Sequence, residues 1–271
     1  MALALDHLVI HVKNLSEAVS NYQSLGFTVQ DGGVHADGIT CNALIGFSDD
    51  SYLELIAFKK PSAWHPWGRH HRDSYEGFVD FALKPDQLRP LMDRLKAQDL
   101  AYLGPIEGGR VAPDGRKLAW QVAFPPSSNL PFLCADIAPQ PWRAPSGALR
   151  VHANKVQGIA SVTLVVNDLA ASVQRYRVLL QTEPSHWPQP IAGLGIALAK
   201  MALGDKELIF ISPIAGSQTP TAQELHQTLA KRGEGLLGAS LLQSAATSPN
   251  GCLQSLSLSL THGAGFVLAG R

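Results

Sequence analysis

Residues 6–13 (DHLVIHVK) form a short apolar run rich in β-branched side chains, the pattern of a strand. The next segment, SEAVSNYQSLGF, places Ala18, Val19, Tyr22 and Leu25 at three-to-four spacing, which predicts an amphipathic helix. Asn14 or Ser16 can cap its start, and Gly26 stands where a helix end favours a residue tolerant of positive φ. Strand-like runs follow at 27–30, 40–47 and 52–58, with Asp49-Asp50 suited to a turn between the last two. The unit is β-α-β-β-β.

The order recurs. Residues 77–84 (GFVDFALK) read as a strand and DQLRPLMDRLKAQ as a helix with Pro90 near its first turn; strands are expected at 102–106, 117–124 and 130–137. A third copy opens at Gly158, where GIASVTLVV and DLAASVQRYRVLL keep step with the chain's beginning. Its strands fall near 195–203 and 207–212. A fourth copy comprises 235–243, 253–260 and 265–268, its helix shortened or lost. The Pro-rich passage 138–147 (APQPWRAPSG) reads as a linker. The expected organisation is two paired modules in 1–140, a linker over 141–156, and two degenerate modules in 157–271.

Composition narrows the function. The 271 residues carry 22 basic against 22 acidic side chains, which offers no electrostatic footprint for nucleic acid or an anionic membrane. Cys41, Cys134 and Cys252 are dispersed and form no CxxC pair, which favours a reducing compartment over a disulfide framework. No apolar run approaches the roughly 18–20 residues of a membrane span, and MALALDH meets charge too early for a signal peptide. A cytoplasmic protein acting on a small molecule, as monomer or homodimer, is the expectation. There is no GxSxG, phosphate loop or dinucleotide fingerprint.

The combination of DHLVIHV, GGVHADGITCNALIGF, YLELIA, GGRVAPDGRKLAWQVAF and LPFLCADI resembles the vicinal oxygen chelate superfamily, and within it the glyoxalase-like domain family. The superfamily includes lactoylglutathione lyase, fosfomycin- and bleomycin-resistance proteins, methylmalonyl epimerase and extradiol dioxygenases. The resemblance covers roughly residues 5–180. It implies an α+β fold of tandem βαβββ modules, the glyoxalase/bleomycin resistance/dihydroxybiphenyl dioxygenase fold, with eight strands curled into a cup. It also implies a divalent metal (Zn, Mn, Fe or Ni) held by His or Gln on a module's first strand and Glu on its last. His7 and Glu54 match those positions in the first module. In the second, Phe78 or a neighbour and one of residues 131–134 correspond, and neither strand offers the expected ligand; in the third, Ser161 and Phe210 stand at the two positions, and both ligands are lost. Two readings stay open: a metal-assisted lyase or isomerase on a small oxygenated substrate, and a metal-free binding or sequestering protein.

Other candidates surround this pair. An unpaired carboxylate is rarely buried, so Glu54 within LELIA points to a polar cavity, a metal or a cationic partner. His11 shares a strand face with His7 and is expected to be structural. His35, in what reads as a Gly-rich loop, can serve as a third ligand or a proton carrier, since imidazole titrates near neutrality. By the resemblance, Cys41 stands where the family has histidine, Asn42 is retained, and Arg110 and Trp120 contact substrate. Arg suits a carboxylate, and Trp an apolar wall. The segment 62–75 (SAWHPWGRHHRDSY) is expected to be a lid or an interface; His65, His70 and His71 have no convergent ligand spacing.

Overall fold

A computed structural model describes residues 3–68, 75–138, 143–244 and 254–270. His70, His71 and Cys252 lie outside them. The first module is β1 (Leu3–His11), α1 (Leu15–Ser24), β2 (Gln30–His35), β3 (Thr40–Gly46) and β4 (Tyr52–Phe58). Asn14 caps α1 by accepting the Glu17 N–H at 3.2 Å. The second module is β5 (Gly77–Pro85), α2 (Leu88–Lys96), β6 (Leu103–Val111), β7 (Lys117–Phe124) and β8 (Phe132–Asp136). Pro90 sits in the first turn of α2, where a missing N–H is harmless.

The eight strands close into a barrel in the order β1-β4-β3-β2-β6-β7-β8-β5. β1 pairs in parallel with β4 and antiparallel with β5, and β5 pairs in parallel with β8. The two modules therefore meet along β1 and β5 about a pseudo-twofold relation. Alternate side chains of these strands point inward: Val9, Ile56, Ala82, Phe132 and Cys134 form an apolar cluster inside the barrel. The opposite faces carry Leu8, Ile10, Leu53, Leu55 and Phe81 into the main core beneath the helices.

β9 (Val156–Val165), α3 (Leu169–Leu180), β10 (Pro184–Ile191), β11 (Ile196–Leu203) and β12 (Lys206–Pro213) make a complete third module. Then come α4 (Pro220–Arg232), β13 (Gly235–Gln243), β14 (Gln254–Ser255) and β15 (Gly265–Gly270). These strands form an open seven-stranded sheet, β10-β11-β12-β9-β13-β15-β14, rather than a second barrel. One continuous core joins the sheet to the barrel. Phe78 meets Phe266 with ring centroids 5.0 Å apart, and the Tyr176 hydroxyl donates to the Asn129 carbonyl at 2.8 Å. Asp49, in the β3–β4 turn, pairs with the buried Lys206 ammonium and accepts the Ile159 N–H at 3.1 Å.

Three expectations are corrected. The second strand runs over Gln30–His35, not 27–30, so His35 ends a strand instead of sitting in a loop. Two glycines permit this. A Cβ on Gly32 would stand 2.0 Å from the Asn42 Oδ1, and Gly33 at φ 105° forms a bulge that any other residue would strain. The strand β10 and the helix α4, capped by Thr219 and opened by Pro220, had no place in the repeat reading. The third-module position matching Glu54 is Ile209, not Phe210. Ser161 keeps His7's distance to the helix cap, and Thr163, the match of Val9, pairs with Ile209 as Val9 pairs with Glu54. Phe210 packs instead on Tyr176.

Candidate functional site

The barrel encloses a cavity of about 800 Å³ lined by His7, His35, Glu54, Arg110, Trp120 and Arg143, with Tyr52, Phe124 and Phe132 among its apolar walls. A cavity of that size, mostly apolar with a few convergent polar groups, is the usual form of a small-molecule site. His7 and Glu54 reach it from adjacent parallel strands, His35 and Arg110 from the paired ends of β2 and β6, and Trp120 from β7.

A chain of charges runs through its floor. Arg143 grips Asp6 with two bonds, at 2.7 and 3.0 Å, donates to the Tyr52 hydroxyl at 2.8 Å and contacts Asp136 at 2.5 Å. Asp6 in turn meets His7 Nδ1 at 2.7 Å, and His7 Nε2 faces Glu54 Oε2 at 3.4 Å. The His7 ring stacks on Tyr52 at 4.5 Å and meets the edge of Phe132 at 5.4 Å. Asn42 donates to Glu54 Oε1 at 2.6 Å, while His35 Nε2 stands 3.6 Å from the same oxygen. His35 Nδ1 meets the Thr40 hydroxyl at 2.7 Å, and its ring lies edge-on to Trp120.

Protonation follows from these neighbours. Burial alone would raise the Glu54 pKa, but His7, His35 and Asn42 outweigh it and bring it to about 2. Burial likewise opposes ionisation of Asp6, yet Arg143 and His7 hold its carboxyl well below the usual range. His7 is buried too, and the two carboxylates still push its pKa upward. His35 is pushed the other way by burial, with Arg110 adding to the effect. The surroundings therefore favour the imidazolium of His7 between two carboxylates, and the neutral imidazole of His35 beside it.

Arg110 is 5% exposed and donates to the Arg143 carbonyl at 2.7 Å. Among the described residues it has no carboxylate partner within ion-pair distance, and its Nε has no hydrogen-bond acceptor. Cys41 lies outside the cavity with its thiol toward the Ala57 carbonyl, and His11 Nδ1 meets the Tyr75 carbonyl at 2.5 Å. From the segment between β4 and β5, His65 and Trp67 line the cavity, whereas Trp64 is fully exposed. Arg143 escaped the sequence reading because it stands in the Pro-rich passage read as a linker. Its only signal was a lone arginine among apolar and proline residues.

Strand register settles what faces His7 and Glu54 in the second module. His7 pairs with Ala82, and Val9 with Asp80, so the pseudo-twofold makes Asp80, not Phe78, the equivalent of His7. Asp80 also stands as far before the α2 cap as His7 stands before the α1 cap. Ala82 pairs with Phe132, which assigns Phe132 to the position of Glu54. Asp80 turns to Trp67, accepting its indole N–H at 3.0 Å, and burial pushes its carboxyl up to about 7. Phe132 offers no donor atom. Among the described residues no three His, Cys, Asp or Glu side chains are placed to hold a metal ion. Glu54 and His7 already satisfy each other, Asn42 and Asp6. The donor set does not fit a metal centre built from both modules.

The sequence profile of the glyoxalase-like domain matches residues 5–180, and the chain belongs to that family, within the vicinal oxygen chelate superfamily. Among solved structures, a hypothetical protein from Staphylococcus aureus superposes with a TM-score of 0.74 at 14% identity, over 99% of this chain and 100% of that one. A triple mutant of 4-hydroxymandelate synthase from Streptomyces coelicolor gives 0.60 at 15% identity, over 90% of this chain and 71% of the other. A xylose isomerase-like TIM barrel/4-hydroxyphenylpyruvate dioxygenase fusion protein gives 0.52 at 15% identity, over 90% of this chain and 36% of that one. At these identities the likeness is one of fold. No curated protein matches the sequence. Among the described residues no helix is long and apolar enough to cross a membrane.

Proposed function

We propose that the barrel binds a small oxygenated molecule carrying an anionic group and moves a proton on it, as an isomerase or lyase working through the protein's own acid–base groups. One observation supports this most: Arg110 is a buried guanidinium at the cavity wall without a carboxylate partner among the described residues. A buried cation is costly unless paired, and a ligand carboxylate or enediolate completes it. Trp120 and Phe124 supply the wall for the apolar part.

His35 is the proton carrier. Thr40 fixes its Nδ1, its ring is neutral, and its Nε2 faces the cavity. When Nε2 takes a proton from carbon beside a carbonyl, the imidazolium formed lies 3.6 Å from the Glu54 carboxylate, which stabilises it. His7, Asp6 and Arg143 keep Glu54 ionised and in place. A second reading, ligand binding without chemistry, is favoured by Phe132 at a ligand-bearing position.

The test measures binding of small 2-oxo and 2-hydroxy acids by calorimetry, with deuterium wash-in from D2O on every acid that binds. Arg110→Gln is expected to weaken binding about 10- to 100-fold, from the loss of charge-assisted bonds. His35→Gln is expected to retain binding and abolish exchange. Binding without exchange in the wild type leaves only the sequestering reading. No binding of any such acid sinks both.

A further inference from the structure

A second cavity of about 500 Å³ lies at the seam between the barrel and the open sheet. The barrel contributes Phe78, Val79, Asp80 and Leu130, and the other half contributes Val165, Thr228, Arg232 and Leu236. Its size alone falls within the range of ligand pockets. It is walled mainly by apolar side chains and plays no part in the acid–base chemistry of the barrel. The two cavities share three lining residues, Pro66, Trp67 and Phe124. Trp67 is the partition. Its ring packs 5.7 Å from Phe132, which faces the barrel cavity, while its indole N–H donates to Asp80, which faces the seam. The carboxyl of Asp80 is fixed in turn by the Phe81 N–H at 2.8 Å.

We infer that the two cavities form one elongated site, in which the barrel holds the oxygenated, anionic head of an amphipathic ligand and the seam takes an unbranched acyl or alkyl tail that passes Trp67. This rests on the proposed anionic-ligand role of the barrel and names the ligand class: a carboxylate with a long apolar chain. Arg110, His35 and Glu54 stand on the barrel side; beyond Trp67 the tail meets Phe78, Val79, Leu130, Val165 and Leu236, with Asp80, Ser127, Ser128, Thr228, Arg232 and Glu234 completing the seam lining. Trp67 thus sets how much chain the site accepts. Its indole is held there by one hydrogen bond, to Asp80, and by ring contacts with Phe132 and His65.

The experiment is calorimetric binding of hexanoate and dodecanoate to the full chain, in the wild type, Thr228→Trp and Arg110→Gln. Thr228 is half-buried on α4 and faces the seam but not the barrel cavity, so a tryptophan there fills the tail space alone. The wild type is expected to bind dodecanoate far more tightly than hexanoate, by about fourfold for each methylene that enters the seam. Thr228→Trp is expected to erase that preference and leave hexanoate binding unchanged, while Arg110→Gln weakens both. A stopped-flow readout adds the partition: Trp67→Phe, which loses the hook on Asp80, is expected to speed dodecanoate association and not that of hexanoate. A chain-length preference that survives Thr228→Trp overturns the seam assignment, as does equal binding of the two acids. Hexanoate binding that still requires Arg110 would then leave the barrel reading standing. Failure of dodecanoate to bind overturns the elongated site, and the barrel reading then stands or falls with the 2-oxo and 2-hydroxy acids.

Discussion

Replacing Arg143 by methionine keeps most of the side chain's apolar length and removes its charge. The guanidinium makes two bonds to Asp6, one to Tyr52 and a 2.5 Å contact to Asp136, in surroundings where Arg143 is 5% and Asp6 4% exposed. Truncating one partner of a buried ion pair strands the other charge, which costs about 3–5 kcal/mol. With a urea slope of about 2–3 kcal/mol/M for a chain of this size, the unfolding midpoint is expected to fall by about 1–2.5 M. The double variant Asp6→Asn/Arg143→Met leaves no stranded charge at that pair. It is expected to recover part of the loss, with a coupling of about 1–3 kcal/mol. Urea unfolding of the four proteins at pH 7 closes the cycle. A loss under about 1 kcal/mol in Arg143→Met, or a double variant whose loss equals the sum of the singles, would falsify the view that Arg143 anchors the floor through Asp6.

The remaining predictions concern protonation and packing. Glu54 has its pKa lowered to about 2, so the stability it contributes is present above its unfolded value near 4.5 and is lost as pH falls through about 2. Glu54→Gln is expected to flatten that acid limb in urea unfolding followed from pH 6 to 2; an unchanged limb refutes the assignment. His7, with its pKa raised, contributes stability that is complete below the ordinary histidine value of 6.5 and fades as pH rises through its folded value. Imidazole 15N shifts are accordingly expected to show His7 doubly protonated at pH 6.5 and His35 neutral, and the reverse order would overturn the proton-carrier role of His35. Gly32→Ala is expected to push the Asn42 amide off Glu54, because the new Cβ would lie 2.0 Å from Asn42 Oδ1. A loss of about 1–3 kcal/mol should accompany a changed Asn42 side-chain amide signal, and an unmoved signal contradicts the packing.

Much of this protein is written in local pattern. The β-α-β-β-β order, the Asn14 cap, the turn at Asp49-Asp50 and the likeness between the first and third modules depend on neighbours in sequence. Residues three or four apart on a helix, or two apart on a strand, report their own burial. The family resemblance put His7, Glu54, Asn42, Arg110 and Trp120 among the candidates; His7, Glu54, Arg110 and Trp120 line one cavity because β1 lies beside β4 and β2 beside β6, and Asn42 reaches it only through Glu54. Register is another matter. Whether Phe78 or Asp80 takes the place equivalent to His7 depends on a bulge between paired strands, and a one-residue slip sends the side chain to the other face. Only the closed barrel decided that Asp80 turns to Trp67 and that Phe132 fills the remaining position. The linker gave no sign that Arg143 would enter the floor, since nothing in a Pro-rich run marks which side chain will meet a buried carboxylate far away in the chain. Local periodicity determined the modules; long-range pairing decided which charges meet in the cavity.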